Sequence, residues 1–220
     1  MILFWITVFC VALVFPLIDG ACTNSTQLKL CYNTYLEAYE LSAVPFPGYR
    51  AFKTLREMML VEEGPVGQTK ECGFQTSLIS CLGNIGTTTD CLSADIFVRT
   101  FPNVTHADAI LYIQDYFMMQ YTCTDGFNDA MKYFYCMEQI GLYYPSKLEA
   151  CSETEQQQIA NDGGCPVYNN FVTCMSNVFT EYCGADIRKY ICNLEVKGIT
   201  GSAPQCANSL QDCSKPPPSN

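Results

Sequence analysis

The chain has one histidine, no C-x-x-C pair, no glycine-rich phosphate loop and no sustained alternation of β-branched residues. Each absence removes a class of protein. A Ser-His-Asp or Cys-His mechanism would have to use His106. Zinc sites of ordinary spacing need paired cysteines with nearby histidines, and neither is present. Thioredoxin-type redox chemistry has no C-x-x-C to work with. Without alternation there is no pattern for half-buried strands. Positive charge is scarce too, with 12 Lys and Arg against 22 Asp and Glu. Such a surface repels nucleic acid and anionic lipid. The acidic stretch CTDGFND, 123–129, lacks the spaced ligands and terminal Glu of an EF-hand. No metal, cofactor or nucleic-acid partner is expected.

What is present points to export. Ile2 to Ile18 is apolar and uncharged, and the small residues Gly20 and Ala21 follow. Residues 1–20 therefore read as a secretory signal peptide, although no Lys or Arg precedes the run. A retained anchor is the alternative. No later stretch is apolar enough to span a bilayer, and the ending CSKPPPSN lacks the tail of a lipid-anchor signal. Of 15 cysteines, Cys10 would leave with the leader. The others are Cys22, Cys31, Cys72, Cys81, Cys91, Cys123, Cys136, Cys151, Cys165, Cys174, Cys183, Cys192, Cys206 and Cys213. An even set in an oxidising compartment predicts seven disulfides. Two glycosylation sequons, at Asn24 and Asn103, agree with this.

Proline is sparse between residues 48 and 203, which leaves long tracts open to helix. Thr105-x-x-Asp108 and Ser146-x-x-Glu149 are helix starts of the capping type, and Pro166 suits a first turn. Gly83, Gly141, Gly163 and Gly184 are candidate stops. Ile110, Ile113, Phe117 and Tyr121 recur at helical spacing, as do Phe127, Met131 and Phe134. Helices are predicted near 24–42, 50–62, 72–84, 93–101, 106–121, 124–140, 147–160, 166–182 and 185–195. The fold expected is an all-α, disulfide-stapled bundle of about seven to nine short helices. Its cysteine-rich domain spans 21–197, and 198–220 is expected to form an irregular tail.

Cys165, Cys174, Cys183 and Cys192 are spaced nine apart. An α-helix turns about 100° per residue, so nine residues place successive cysteines half a turn apart. The helix 166–182 would then be stapled on opposite sides, with Cys174 facing away from Cys165 and Cys183. Cys192 would belong to the following helix. Cys22–Cys31 and Cys72–Cys81 repeat the interval, consistent with an internal duplication.

The segments CTNSTQLKLC, CGFQTSLISCLGNIGTTTDC, YTCTDGFNDAMKYFYCMEQI and CPVYNNFVTCMSNVFTEYCG together resemble a large nematode family. That family comprises secreted, cysteine-rich proteins catalogued as a domain of unknown function (DUF nineteen). The resemblance covers roughly Cys22 to Cys192. It rests on cysteine spacing and aromatic positions. It implies export and a helical disulfide-rich domain, and it brings no activity or functional residues. Cys206 and Cys213 fall beyond that core and could form a local pair.

No catalytic residue is expected. His106 reads as a solvated helix-start residue. The carboxylate pairs Glu62–Glu63, Asp108–Asp115 and Glu153–Glu155, which a glycosidase would need in a cleft, read as solvated helix faces. The aromatic and methionine-rich stretches 111–121 and 130–144 read as a central core helix pair, or alternatively as walls of a lipid-binding cavity. The resulting expectation is a secreted, extracellular binding protein, monomeric or weakly associated. Its partner would be another extracellular protein or an apolar small molecule. A carrier of lipid is the first alternative and a carboxylate-dependent hydrolase the second.

Overall fold

A computed structural model of the chain describes residues 25–87, 91–160 and 164–215. The leader, Cys22, Asn24, Gly163 and the proline-rich end at 216–220 lie outside them. Among the described residues there are nine α-helices and no strand. They are α1 (Ser25–Glu37), α2 (Tyr49–Glu63), α3 (Pro65–Leu82), α4 (Ala94–Thr100), α5 (His106–Thr122), α6 (Phe127–Tyr143), α7 (Pro145–Ala160), α8 (Pro166–Cys183) and α9 (Arg188–Ser202). Three 3-10 turns follow α3, α8 and α9.

The helix ends follow from particular residues. Thr105 caps α5, its hydroxyl accepting the Asp108 N–H at 3.0 Å. Pro65 and Pro166 occupy first-turn positions, where the missing N–H costs nothing. Gly184, at φ 88°, ends α8, and Gly83, at φ 51°, ends α3. Gly64, at φ 61°, joins α2 to α3 without a loop, which is why α3 begins at Pro65 rather than near residue 72. Gly141 does not stop a helix, because α6 runs through it to Tyr143.

Two halves emerge. Helices α1–α5 enclose a core of rings that includes Tyr32, Phe46, Phe52, Phe97, Phe101 and Tyr112. Most of these rings meet edge to face, with Tyr32 and Phe97 centroids 4.9 Å apart. Helices α6–α9 enclose smaller clusters around Ile140, Val172, Val178, Ile191 and Ile199. Cys31–Cys81 and Cys72–Cys123 staple the first half. Cys136–Cys183, Cys151–Cys174, Cys165–Cys206 and Cys192–Cys213 staple the second. Cys91 is also disulfide-bonded. None of the six bridges between described residues crosses from one half to the other.

The nine-residue spacing has a structural meaning. On α8, Cys174 bonds to α7 and Cys183 bonds to α6, while Cys165 at its start reaches the segment beyond α9. Cys192 sits on α9. The local Cys206–Cys213 pair does not form, because each cysteine reaches back into the bundle to a partner in 165–192. The supposed duplication is echoed in one bridge only. Cys81 at the end of α3 bonds to the middle of α1, as Cys183 at the end of α8 bonds to the middle of α6. The neighbours Cys72 and Cys174 pair in opposite chain directions.

The halves meet chiefly where α5 packs on α9. Here the expectation of an irregular segment from residue 198 fails, since α9 continues through Ser202 and a 3-10 turn spans Pro204–Ser209. Gly198 and Gly201 are packing residues inside the helix. A Cβ on Gly198 would lie 2.8 Å from Met118 Cγ, and one on Gly201 would overlap the Phe117 ring. Gly201→Ala is therefore expected to destabilise the protein by about 1–3 kcal/mol through overpacking. A thermal melt checks this; an unchanged midpoint would mean the two helices are not in such close contact.

The stretches 111–121 and 130–144 are not a central pair. Helix α5 is central, but α6 lies at the edge, with Tyr135 73% and Tyr143 71% exposed.

Candidate functional site: a cavity between the halves

The most substantial cavity described, about 240 Å³, opens between the halves. Its first-half wall is Tyr49 and Lys53 from α2 and Leu111, Gln114, Asp115 and Met118 from α5. Its second-half wall is Ser152, Glu155 and Gln156 from α7, Phe171 and Met175 from α8, and Glu195, Gly198 and Ile199 from α9. Interfaces between packed units are where ligand sites commonly lie. Gly198, packed against Met118, is part of the lining where α5 meets α9.

Behind one wall lies a buried charge network. Arg56 on α2 grips Asp115 with both terminal nitrogens, at 2.7 Å each. Its Nε lies 2.8 Å from Glu71 Oε1, an ion pair not aligned for a hydrogen bond. Tyr49 donates its hydroxyl to Asp115 Oδ1 at 3.0 Å, and Gln68 donates to Glu71 Oε2 at 3.2 Å. Burial pushes the Glu71 carboxyl up, against the pull of Arg56. Both carboxylates of this network have partners, which suits a buried ion cluster tying α2, α3 and α5 together.

Glu195 is different. It is 6% exposed, and no hydrogen bond or ion pair holds its carboxyl among the described residues. Burial, reinforced by nearby Glu155 and opposed by Lys53, pushes it up to about 8. Glu155, partly buried across the cavity, is pushed up to about 7 by burial. The Glu195 side chain is buried among the helices, but its oxygens are not sealed in protein; they open onto the cavity, where a ligand or water can reach them.

The chain matches no family model, no curated protein and no solved structure.

The residues singled out from sequence fall in several places. His106 is exposed in the first turn of α5, 3.6 Å from exposed Asp95, far in character from a catalytic base. Asn103 is exposed just before that helix, as a glycosylation site must be. Glu62, Glu63 and Glu153 are exposed. Asp108 and Asp115 do not share a solvated face. Asp108 accepts from the Tyr49 backbone N–H at 2.9 Å, and Asp115 is buried on Arg56. Of the pair Glu153–Glu155, only Glu155 lines the cavity. Sequence reasoning missed Glu195, Glu71 and Arg56. A signal existed for Glu195: Ile191, Cys192, Gly198 and Ile199 form one buried stripe of α9, and Glu195 lies in its middle. No group of His, Cys, Asp and Glu among the described residues is arranged to hold a metal ion. Among them, too, no helix is long and apolar enough to cross a membrane. That fact and the disulfides are compatible with an extracellular protein.

Proposed function

We propose that this is a secreted, non-catalytic binding protein, and that its ligand site is the cavity between the two halves. The observation that carries this reading is Glu195, buried without a partner on the wall of a cavity that α5 and α9 leave open. The resemblance to the nematode secreted family supports export and leaves the ligand to be read from the cavity. Met118, Phe171, Met175 and Ile199 supply an adaptable apolar lining. At about 240 Å³ the space is smaller than the roughly 300–1,000 Å³ that houses drug-sized ligands. A small amphiphile suits it better than a long-chain lipid.

A hydrolase would draw on the same two carboxyls, whose environments raise them to different extents. We favour binding because the space is small and lined in good part by Leu111, Met118, Phe171, Met175 and Ile199, which suits the body of a small ligand better than a glycan.

Native mass spectrometry of the exported protein tests the reading. A small-molecule adduct, lost on unfolding, is expected. Ser152→Trp, which fills the cavity from α7, should abolish the adduct while helical circular dichroism is retained. Gln156→Trp at the rim serves the same purpose if the first variant fails to fold. An adduct of undiminished occupancy in both folded variants, or none in the wild type, would overturn the assignment of this site.

A further inference from the structure

We propose that the cavity takes a small organic ammonium ion, its nitrogen held by Glu155 and Glu195 and its apolar body lying against Met118, Phe171 and Met175. This rests on the cavity being the ligand site and names the class of ligand.

The charge balance around Glu195 points to a cation. From α2 come Lys53 and Arg56. Arg56 is already engaged by Asp115 and Glu71, and Lys53 is an exposed residue 3.4 Å from Glu57. From α5 comes Asp115, satisfied by Arg56 and Tyr49. From α7 comes Glu155. Helix α8 contributes Phe171 and Met175 to the lining and, near Glu155, the Tyr168 hydroxyl, which burial and Glu155 keep protonated. On α9 itself the nearby Lys197 is exposed. Two carboxyl groups therefore share a cavity in which no basic group is committed to them. An anionic ligand would meet both at close range. Lys53, on the cavity wall, acts on Glu195 only through space and pairs with Glu57, so an ammonium ion supplies a cation that can contact both carboxyls, and aromatic and methionine side chains suit the remainder of such a molecule.

Size sets a second limit. Water takes about 30 Å³ of liquid volume, so the space is worth about eight waters. That admits one ring or a short chain beside the charged nitrogen.

Binding of a cation is then linked to proton release. Burial keeps Glu195 up to about 8 and Glu155 up to about 7, so both carry protons through much of the range below neutrality. An ammonium ion favours their ionised forms and expels protons as it enters. Its affinity rises with pH through this window. A neutral ligand that accepts hydrogen bonds from the protonated carboxyls would behave oppositely, weakening as pH rises.

The test is isothermal titration calorimetry on the intact exported protein with three probes of one shape: phenethylamine, 2-phenylethanol and 3-phenylpropanoate. Titrations at pH 5.5 and 8.0, in buffers of different ionisation enthalpy, report affinity and proton release together. Phenethylamine is expected to bind about tenfold or more tighter than the alcohol at pH 8.0, equivalent to one good charge contact. It should weaken at pH 5.5 and release protons on binding. Glu195→Gln should cost about tenfold in amine affinity and reduce proton release, with little effect on the alcohol. The double variant Glu155→Gln, Glu195→Gln should erase the preference for the amine. Alcohol binding that equals or exceeds amine binding, or that strengthens as pH falls, would overturn the cation assignment and leave the small-ligand site standing. Failure of all three probes at both pH values would overturn the cation assignment. A native-spectrum adduct that is lost in the Ser152→Trp variant would then keep the site itself, and absence of any such adduct would remove both.

Discussion

Full reduction of the disulfides is expected to unfold the protein at 37 °C. Each native bridge in a small secreted domain contributes about 2–5 kcal/mol, and six join described residues. Together they match or exceed the usual net stability of about 5–15 kcal/mol. The reason lies in the packing. Among its described residues helix α7 has only Cys151 fully buried, so its attachment to the bundle depends heavily on the bridge to Cys174. Helix α6 leaves much of its outer face in water and is tied by Cys136 to Cys183. Circular dichroism before and after reduction, with alkylation to count thiols, reads the effect directly. Retained helix and an unchanged melting midpoint in the fully alkylated protein would contradict it.

Arg56→Met is expected to be the most damaging single substitution away from the cysteines. It removes the one cation between two buried carboxyls, Glu71 and Asp115. Breaking a buried pair from one side costs about 3–5 kcal/mol because the other charge is left uncompensated. For a chain of this size the melting midpoint should fall by on the order of ten degrees. Replacing all three, as Arg56→Met with Glu71→Gln and Asp115→Asn, should restore much of the loss, since no charge is then stranded. A loss of under about 1 kcal/mol in the single variant would show the network to be solvated rather than buried.

The pattern of stapling bears on function. Bridges secure each half internally, while the seam that carries the cavity depends on α5 against α9 and on neighbouring contacts. Elements held by fewer constraints open locally at lower free energy.

Much of the helical order was legible because single residues announce helix ends locally. Thr105 and Asp108 mark the start of α5, and Pro166 and Gly184 bracket α8. The nine-residue spacing also placed Cys174 within α8 and Cys165 and Cys183 at its two ends. Other features depend on contacts far along the chain. Gly198 and Gly201 fall in the segment expected to be irregular and prove to be the small residues that admit Met118 and Phe117. A helix predicted only to residue 195 left Glu195 at its boundary rather than inside the buried stripe of α9. Cys206 and Cys213 are neighbours in sequence, but their partners are set by where α8 and α9 come to rest. Asp115 looked solvated because the Arg56 that buries it lies on another helix.

The binding role assigned to the cavity rests on one carboxyl group, and that group can be titrated directly. In protein labelled with carbon-13 at the glutamate side-chain carboxyl carbon, the Glu195 resonance is identified by its loss in Glu195→Gln and followed against pH. Its midpoint is expected near 8, because the helices bury it without a partner. A midpoint in the ordinary glutamate range, about 4.3, would mean that the group is solvated or paired, and would contradict the site proposed for it.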